Sequence, residues 1–155
     1  MSNAAVATKT RPGAVSTDDT AIRTMLEDWL AAVRASDLDR IFSHYASDIV
    51  AFDAIAQLRF SGADAYRKHW QACLAMCSGP MVFEFHELGI AACGDVAFGH
   101  ALVRCGGTGP DGKEESHWTR MSAGYRTREG RWQIVHEHFS APFDMQTMKV
   151  LDLQP

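Results

Sequence analysis

The order of patterns along this chain predicts an α+β fold. Three stretches with helical apolar spacing come first, and four long β-rich runs follow them. A short strand pair fits between the second and third helical stretches. Turn-forming breaks such as Ser78-Gly79-Pro80, Gly94-Asp95 and Arg128-Glu129-Gly130 separate the later elements. Helices followed by consecutive strands argue for an antiparallel sheet curled over the helices.

Ile22, Met25, Leu26, Trp29, Leu30 and Val33 carry the first helix, with Asp18 and Asp19 suited to its N-terminal turn. The second starts at Asp37 and sets Leu38, Ile41, Phe42 and Tyr45 on one face. Ile49-Val50-Ala51-Phe52 reads as a strand over 48–53 that ends in the carboxylate of Asp53, with 57–60 as its hairpin partner. Ser61-Gly62-Ala63-Asp64 starts the third helix, whose apolar stripe is Tyr66, Trp70, Cys73, Leu74 and Cys77. Strands are predicted over 81–92, 96–105, 118–127 and 131–140. The Gly-rich segment 106–113 is a loop, because it lacks a Lys-Ser/Thr and leads to no helix.

With 155 residues the chain is sized for one domain, placed at 18–155 behind a flexible N-terminal arm over 1–17. A formal net charge of −4 with no basic cluster points away from nucleic acid. No apolar run has the length of a membrane span, and 1–17 lacks the apolar segment of a secretory signal, so the expected location is cytoplasmic. Cys73, Cys77, Cys93 and Cys105 contain no C-x-x-C pair and are expected to be reduced, mostly buried thiols.

The last strand is the most telling. At period 2, Trp132, Ile134, His136, His138 and Ser140 share one face, apolar at one end and polar at the other, as on a strand leaving a core for a pocket. A three-residue hairpin loop would set Trp118, Arg120 and Ser122 on the same side as these histidines; a two-residue turn would set Met121 and Ala123 there. His100 is a polar group in the row Val96, Phe98, His100, Leu102, Arg104. A site follows in which Asp53, His138 and Arg120 are the catalytic candidates. His100, Arg120, His136, His138, Trp118, His86 and Tyr45 are its ligand contacts. The structural alternatives are a satisfied His136, Arg120 paired with Glu137 or Glu115, and Asp53 capping the turn after it. His136-x-His138 could chelate a metal only with a third ligand from His100, His86 or Asp53, and no signature supports that, so no metal is expected.

Leu26-Glu27-Asp28-Trp29, Ala46-Ser47-Asp48, 61–66, Gly94-Asp95-Val96-Ala97-Phe98 and the segment 132–142 resemble the SnoaL-like, ketosteroid-isomerase-like branch of the nuclear transport factor 2-like superfamily. The C-terminal part is also similar to the association domain of calcium/calmodulin-dependent protein kinase II. The resemblance implies a cone, three N-terminal helices packed in a strongly bent antiparallel sheet with a pocket inside, and a homodimer formed through the outer sheet face. It implies a small-molecule ligand bearing a carbonyl or carboxylate and no redox cofactor. Alternatives are a cofactor-free isomerase, dehydratase or cyclase with Asp53 as a rough analogue of a pocket acid, or an oligomerisation hub. In the hub a pocket cation lies near the position of His100, and an Arg stands where this chain has Phe139.

Overall fold

The computed structural model describes residues 16–155. The arm expected over 1–17 lies outside them apart from Ser16 and Thr17, the N-cap and first residue of α1 (Thr17–Arg34). Ser16 Oγ accepts the Asp19 N–H at 3.0 Å, which satisfies an otherwise orphaned amide of the first turn. Ile22, Leu26, Trp29 and Val33 form the buried face of α1, as their spacing predicts. Asp37 caps α2 (Leu38–Ser43). Tyr45, expected on the apolar face of that helix, instead opens β1 (Tyr45–Phe52). Then come β2 (Phe60–Ser61), α3 (Ala63–Ala75), β3 (Val82–Cys93), β4 (Val96–Thr108), β5 (Glu114–Arg128) and β6 (Arg131–Ser140).

The six strands form one curved, unclosed sheet in the order β2-β1-β6-β5-β4-β3. Every pairing is antiparallel except β1 with β6, which run parallel. Helix α1 packs on β3 and β6, and α3 packs on β1 and β2, so the helices cover the inner face. Trp29 is central to the core. Its ring meets Trp70 and Phe83 edge-on, with centroids 5.6 and 5.1 Å away, and stacks on Phe85 at 5.9 Å.

The β5–β6 hairpin decides which side chains reach the interior. Its turn has two residues, Glu129 and Gly130, with φ of 52° and 73° as a type I′ turn requires; the three-residue loop is not formed. Thr127 therefore pairs with Trp132. That register alone would turn the histidines inward. A bulge at Val135 reverses the parity: Tyr125 pairs with Ile134, but the next pair is Gly124 with His136. Beyond it Ser122 faces His138 and Arg120 faces Ser140. Arg120, Ser122, His136 and His138 do share a face, and it is the outer one. Trp132 and Ile134 point to the core, and the inward positions pass to Glu137 and Phe139. The continuous face running from Trp132 to Ser140 is thus broken at Val135.

Deleting Val135 removes the unpaired residue and leaves Glu137 and Phe139 on the inner face, opposite Ala123 and Met121. The variant should keep its cooperative thermal transition and its near-ultraviolet circular dichroism, at a cost of about 0.5–3 kcal/mol. Loss of both would mean that Glu137 and Phe139 had turned to solvent, and would speak against the bulge.

Candidate active site

The inner face encloses a cavity of about 360 Å³ between α3, the ends of β4 and β5, and the segment after β1. Trp70, Met76, Met81, Phe83 and Phe139 give it an apolar wall, to which Cys73, Cys77 and Cys105 add three thiols. The segment after α3 lies close against β4 at Gly107, where a Cβ would lie 2.6 Å from Cys77 Sγ. The polar lining comes from Asp53, His69, Thr108, Glu115, His117 and Thr119, and among the described residues no Lys or Arg lines it.

Asp53 and His69 stand together at one end. His69 Nε2 lies 3.4 Å from Asp53 Oδ2, and both side chains are mostly buried. The imidazole is held flat by Phe60, with ring centroids 4.5 Å apart and planes at 27°. Asp53 Oδ1 accepts the Ile55 N–H at 3.0 Å, so the turn-capping role holds as well as the pocket role. Behind the pair runs a buried chain of oxygens. Tyr66 Oη lies 3.1 Å from Asp53 Oδ2 and 2.6 Å from Glu137 Oε1, and Tyr45 Oη lies 3.0 Å from each Glu137 oxygen.

Glu137 is only 2% exposed. Burial pushes its carboxyl up to about 7 against the lowering effect of the Tyr66 and Tyr45 hydroxyls, while Asp53 adds a further upward push. Burial, and then the charge of Glu137, hold both phenols well above the ordinary tyrosine range. Burial also raises the thiols of Cys73 and Cys105, so they pack as small neutral groups. The cysteines, expected to be mostly buried, are half-buried at Cys73, Cys77 and Cys105 and exposed at Cys93.

Of the residues expected to meet in the hollow, Asp53 and Tyr45 face it or its supporting chain. The convergence of His100, Arg120, His136 and His138 is corrected: all lie on the outer face, His136 and His138 because the Val135 bulge turns them there, and His100 and Arg120 because their neighbours Ala101 and Met121 take the inner positions. His100 is exposed over Gly89, and Arg120 is exposed. Arg120 does not pair with Glu137, which points to the opposite side. His136 is half-buried and satisfied, with Nδ1 2.6 Å from the Val50 carbonyl. His138 is exposed and borders an open groove of about 420 Å³ with Phe52 and the segment 53–58. His86 is exposed, 3.4 Å from Glu84 and edge-on to Trp118, whose Nε1–H donates to Gln154 at 3.2 Å. Among the described residues no group of three or more ligating side chains is placed to hold a metal ion. No helix there is long and apolar enough to cross a membrane.

His69, Tyr66 and Glu137 were missed as site residues. The signal for His69 was available: Tyr66, His69, Trp70 and Cys73 are one i, i+3, i+4, i+7 stripe, so a helix that buries Tyr66 and Trp70 brings His69 with them.

The SnoaL-like domain model matches residues 22–144. The chain belongs to this SnoaL-like family. An NTF2-like protein of unknown function from Pseudomonas putida KT2440 is 48% identical, with 92% of this chain and all of that one covered at a TM-score of 0.84. The fold is shared with a candidate scytalone dehydratase from Novosphingobium aromaticivorans, 12% identical, with 89% of each chain covered and a TM-score of 0.72. It is shared too with the association domain of C. elegans CaMKII, 16% identical, with 79% of this chain and 95% of that one covered and a TM-score of 0.65. No curated protein matches the chain.

The buried carboxyl gives this SnoaL-like domain a distinctive pH response. Folded Glu137 holds its proton up to about 7, above the ordinary value of 4.5. Its stabilising contribution is complete below the unfolded value and is lost as pH rises through that interval. Roughly 3 kcal/mol is at stake at about 1.4 kcal/mol per pH unit. Thermal melts between pH 4.5 and 8 should show wild-type stability falling across this window relative to Glu137→Gln. Parallel profiles would contradict the assignment.

Proposed function

We propose that this SnoaL-like domain binds a neutral, largely apolar small molecule and moves a proton on it without a redox cofactor. The reaction class is isomerisation, dehydration or cyclisation next to a carbonyl or hydroxyl. One observation carries the reading: Asp53 and His69, 3.4 Å apart, stand together at one end of a mostly apolar cavity. A carboxylate beside an imidazole can take a proton from a carbon acid or hydroxyl and return it at a neighbouring atom. Desolvation by the surrounding apolar wall strengthens the electrostatics of that exchange. A ligand of drug-like compactness fits a space of this size.

The charge of the lining narrows the ligand. Asp53 and Glu115 are acidic, and every cation expected to bind a carboxylate, Arg120 foremost, stands on the other face. A carboxylate-bearing ligand would enter against like charge, so the ligand carries a carbonyl rather than a carboxylate.

The outer face supports a homodimer. Phe98 there is 52% exposed, with Val96 and Phe52 also exposed beside the histidines, and such an apolar face is more readily covered than solvated. His100, His136 and His138 then serve the contact between copies rather than the ligand. Light scattering should give twice the monomer mass for the wild type and the monomer mass for Phe98→Glu; a wild-type monomer would remove this part of the proposal.

The enzymatic part is tested by α-proton exchange of neutral cyclic ketones in D₂O, followed by proton NMR. Asp53→Asn and His69→Gln should each slow catalysed exchange about 10²–10⁴-fold, while Arg120→Ala and His100→Ala leave it unchanged. Rates lost in the outer-face variants and kept in the inner ones would reverse the assignment.

A further inference from the structure

The oxygens behind the pocket do not balance unless they hold an extra proton. Tyr66 has one O–H, yet a carboxylate oxygen lies on each side of it, Glu137 Oε1 at 2.6 Å and Asp53 Oδ2 at 3.1 Å. A phenol donates one hydrogen bond and accepts others, whereas an ionised carboxylate only accepts. With both acids ionised, one of these two short contacts sets lone pair against lone pair, next to a carboxylate that is 2% exposed. With one proton on either acid, every contact becomes a hydrogen bond. We infer that Glu137 is a proton store and positioning residue for Asp53, and that Tyr66 relays the stored proton between them.

The relay has two states. In the first, Glu137 Oε1–H donates to the Tyr66 oxygen and Tyr66 O–H donates to Asp53 Oδ2. In the second, both protons have stepped toward Asp53. Asp53 has gained an O–H that donates to Tyr66, Tyr66 O–H donates to Glu137, and Glu137 is the carboxylate. Tyr66 keeps one proton throughout and the pair keeps a charge of −1. Tyr45 O–H donates to Glu137 in both states, 3.0 Å from either oxygen. The consequence for the pocket is that Asp53 can present itself as base or as acid without drawing a proton from bulk water.

The titratable groups facing Glu137 are few. Tyr45 faces it from β1, Asp53 from the end of β1 and Tyr66 from α3, while Tyr125 on β5 is close enough to feel its charge. His69 joins only through Asp53. No lysine or arginine hydrogen-bonds or ion-pairs with Glu137 among the described residues, so no fixed cation competes with the stored proton. Catalytic use of the relay rests on the reading of Asp53 and His69 as the reacting pair. The existence of the relay does not.

A double-mutant cycle read by ¹³C-carboxyl NMR needs no substrate and separates the two. The Glu137 signal, assigned by its loss in Glu137→Gln, is titrated in four proteins: wild type, Asp53→Asn, Tyr66→Phe and the double variant. With the relay intact, Asp53→Asn frees the Tyr66 donor for Glu137 and lowers the Glu137 midpoint by about one pH unit or more. In the Tyr66→Phe background the same substitution should shift it less than half as much, since only the through-space effect of the charge is left. Tyr45→Phe, which removes a hydroxyl that reaches Glu137 alone, should keep the Asp53 effect whole. Equal shifts in the wild-type and Tyr66→Phe backgrounds, or no shift in either, would overturn the relay. Should Tyr66→Phe fail to fold, the infrared carboxylic-acid band at pH 7 decides. It should shrink severalfold in Asp53→Asn, and its persistence there would overturn the relay. Non-additive shifts together with inert ketone exchange would leave the relay standing and remove the catalytic reading.

Discussion

A single acid, Glu137, sits where the sheet would otherwise carry an apolar side chain, and its burial is the constraint around which the site is arranged. An ionised carboxylate without partners in that position would cost far more than the domain could spare. Two phenols from different elements meet it, Tyr45 from β1 and Tyr66 from α3. Each phenol also packs into the aromatic core, with Phe42 against both and Phe60 against Tyr66. The hydrogen bonds that satisfy the acid therefore fix how α3 sits over β1. The same placement brings Asp53 and His69 together at the rim of the cavity.

That arrangement exists because β6 does not alternate strictly. Up to Ile134 the strand presents Trp132 and Ile134 inward; past Val135 it presents Glu137 and Phe139. A bulge of one residue exchanges the chemistry of the two faces. It sends two imidazoles to the outside and one carboxyl to the inside. The parallel pairing of β6 with β1, in which Ala51 lies opposite Glu137, then sets Asp53 two residues further along on the same inner side.

The helices and the order of the strands were legible because their signals are local and strong. The Trp29 stripe, the acidic first turn at Asp18 and Asp19, the helix start at Asp37 and the chain reversal at Gly130 each act through neighbours in sequence. The motifs in 61–66 and 132–142 carried the family as well. The site was less legible, because face assignment along β6 depends on a bulge that has no mark in the sequence. Val135 is an ordinary strand residue, and nothing in Ile134-Val135-His136-Glu137 says which residue is left unpaired. Prominent chemistry also misled: His136, His138 and Arg120 drew the reading outward from residues that look ordinary, such as His69 within an apolar helical stripe. Asp53 stands out in the sequence as a carboxylate at the end of an apolar strand, and in the structure it lines the cavity.

The central claim is that chemistry belongs to the inner cavity and not to the histidine-bearing outer face. A crystal structure of the protein soaked with a neutral cyclic enone tests it most directly. The account predicts the ligand inside the cavity, its oxygen within hydrogen-bond reach of Asp53 or His69 and its ring against Trp70 and Phe139. A ligand seated instead among His100, Arg120 and His138, with the cavity left empty, would contradict it.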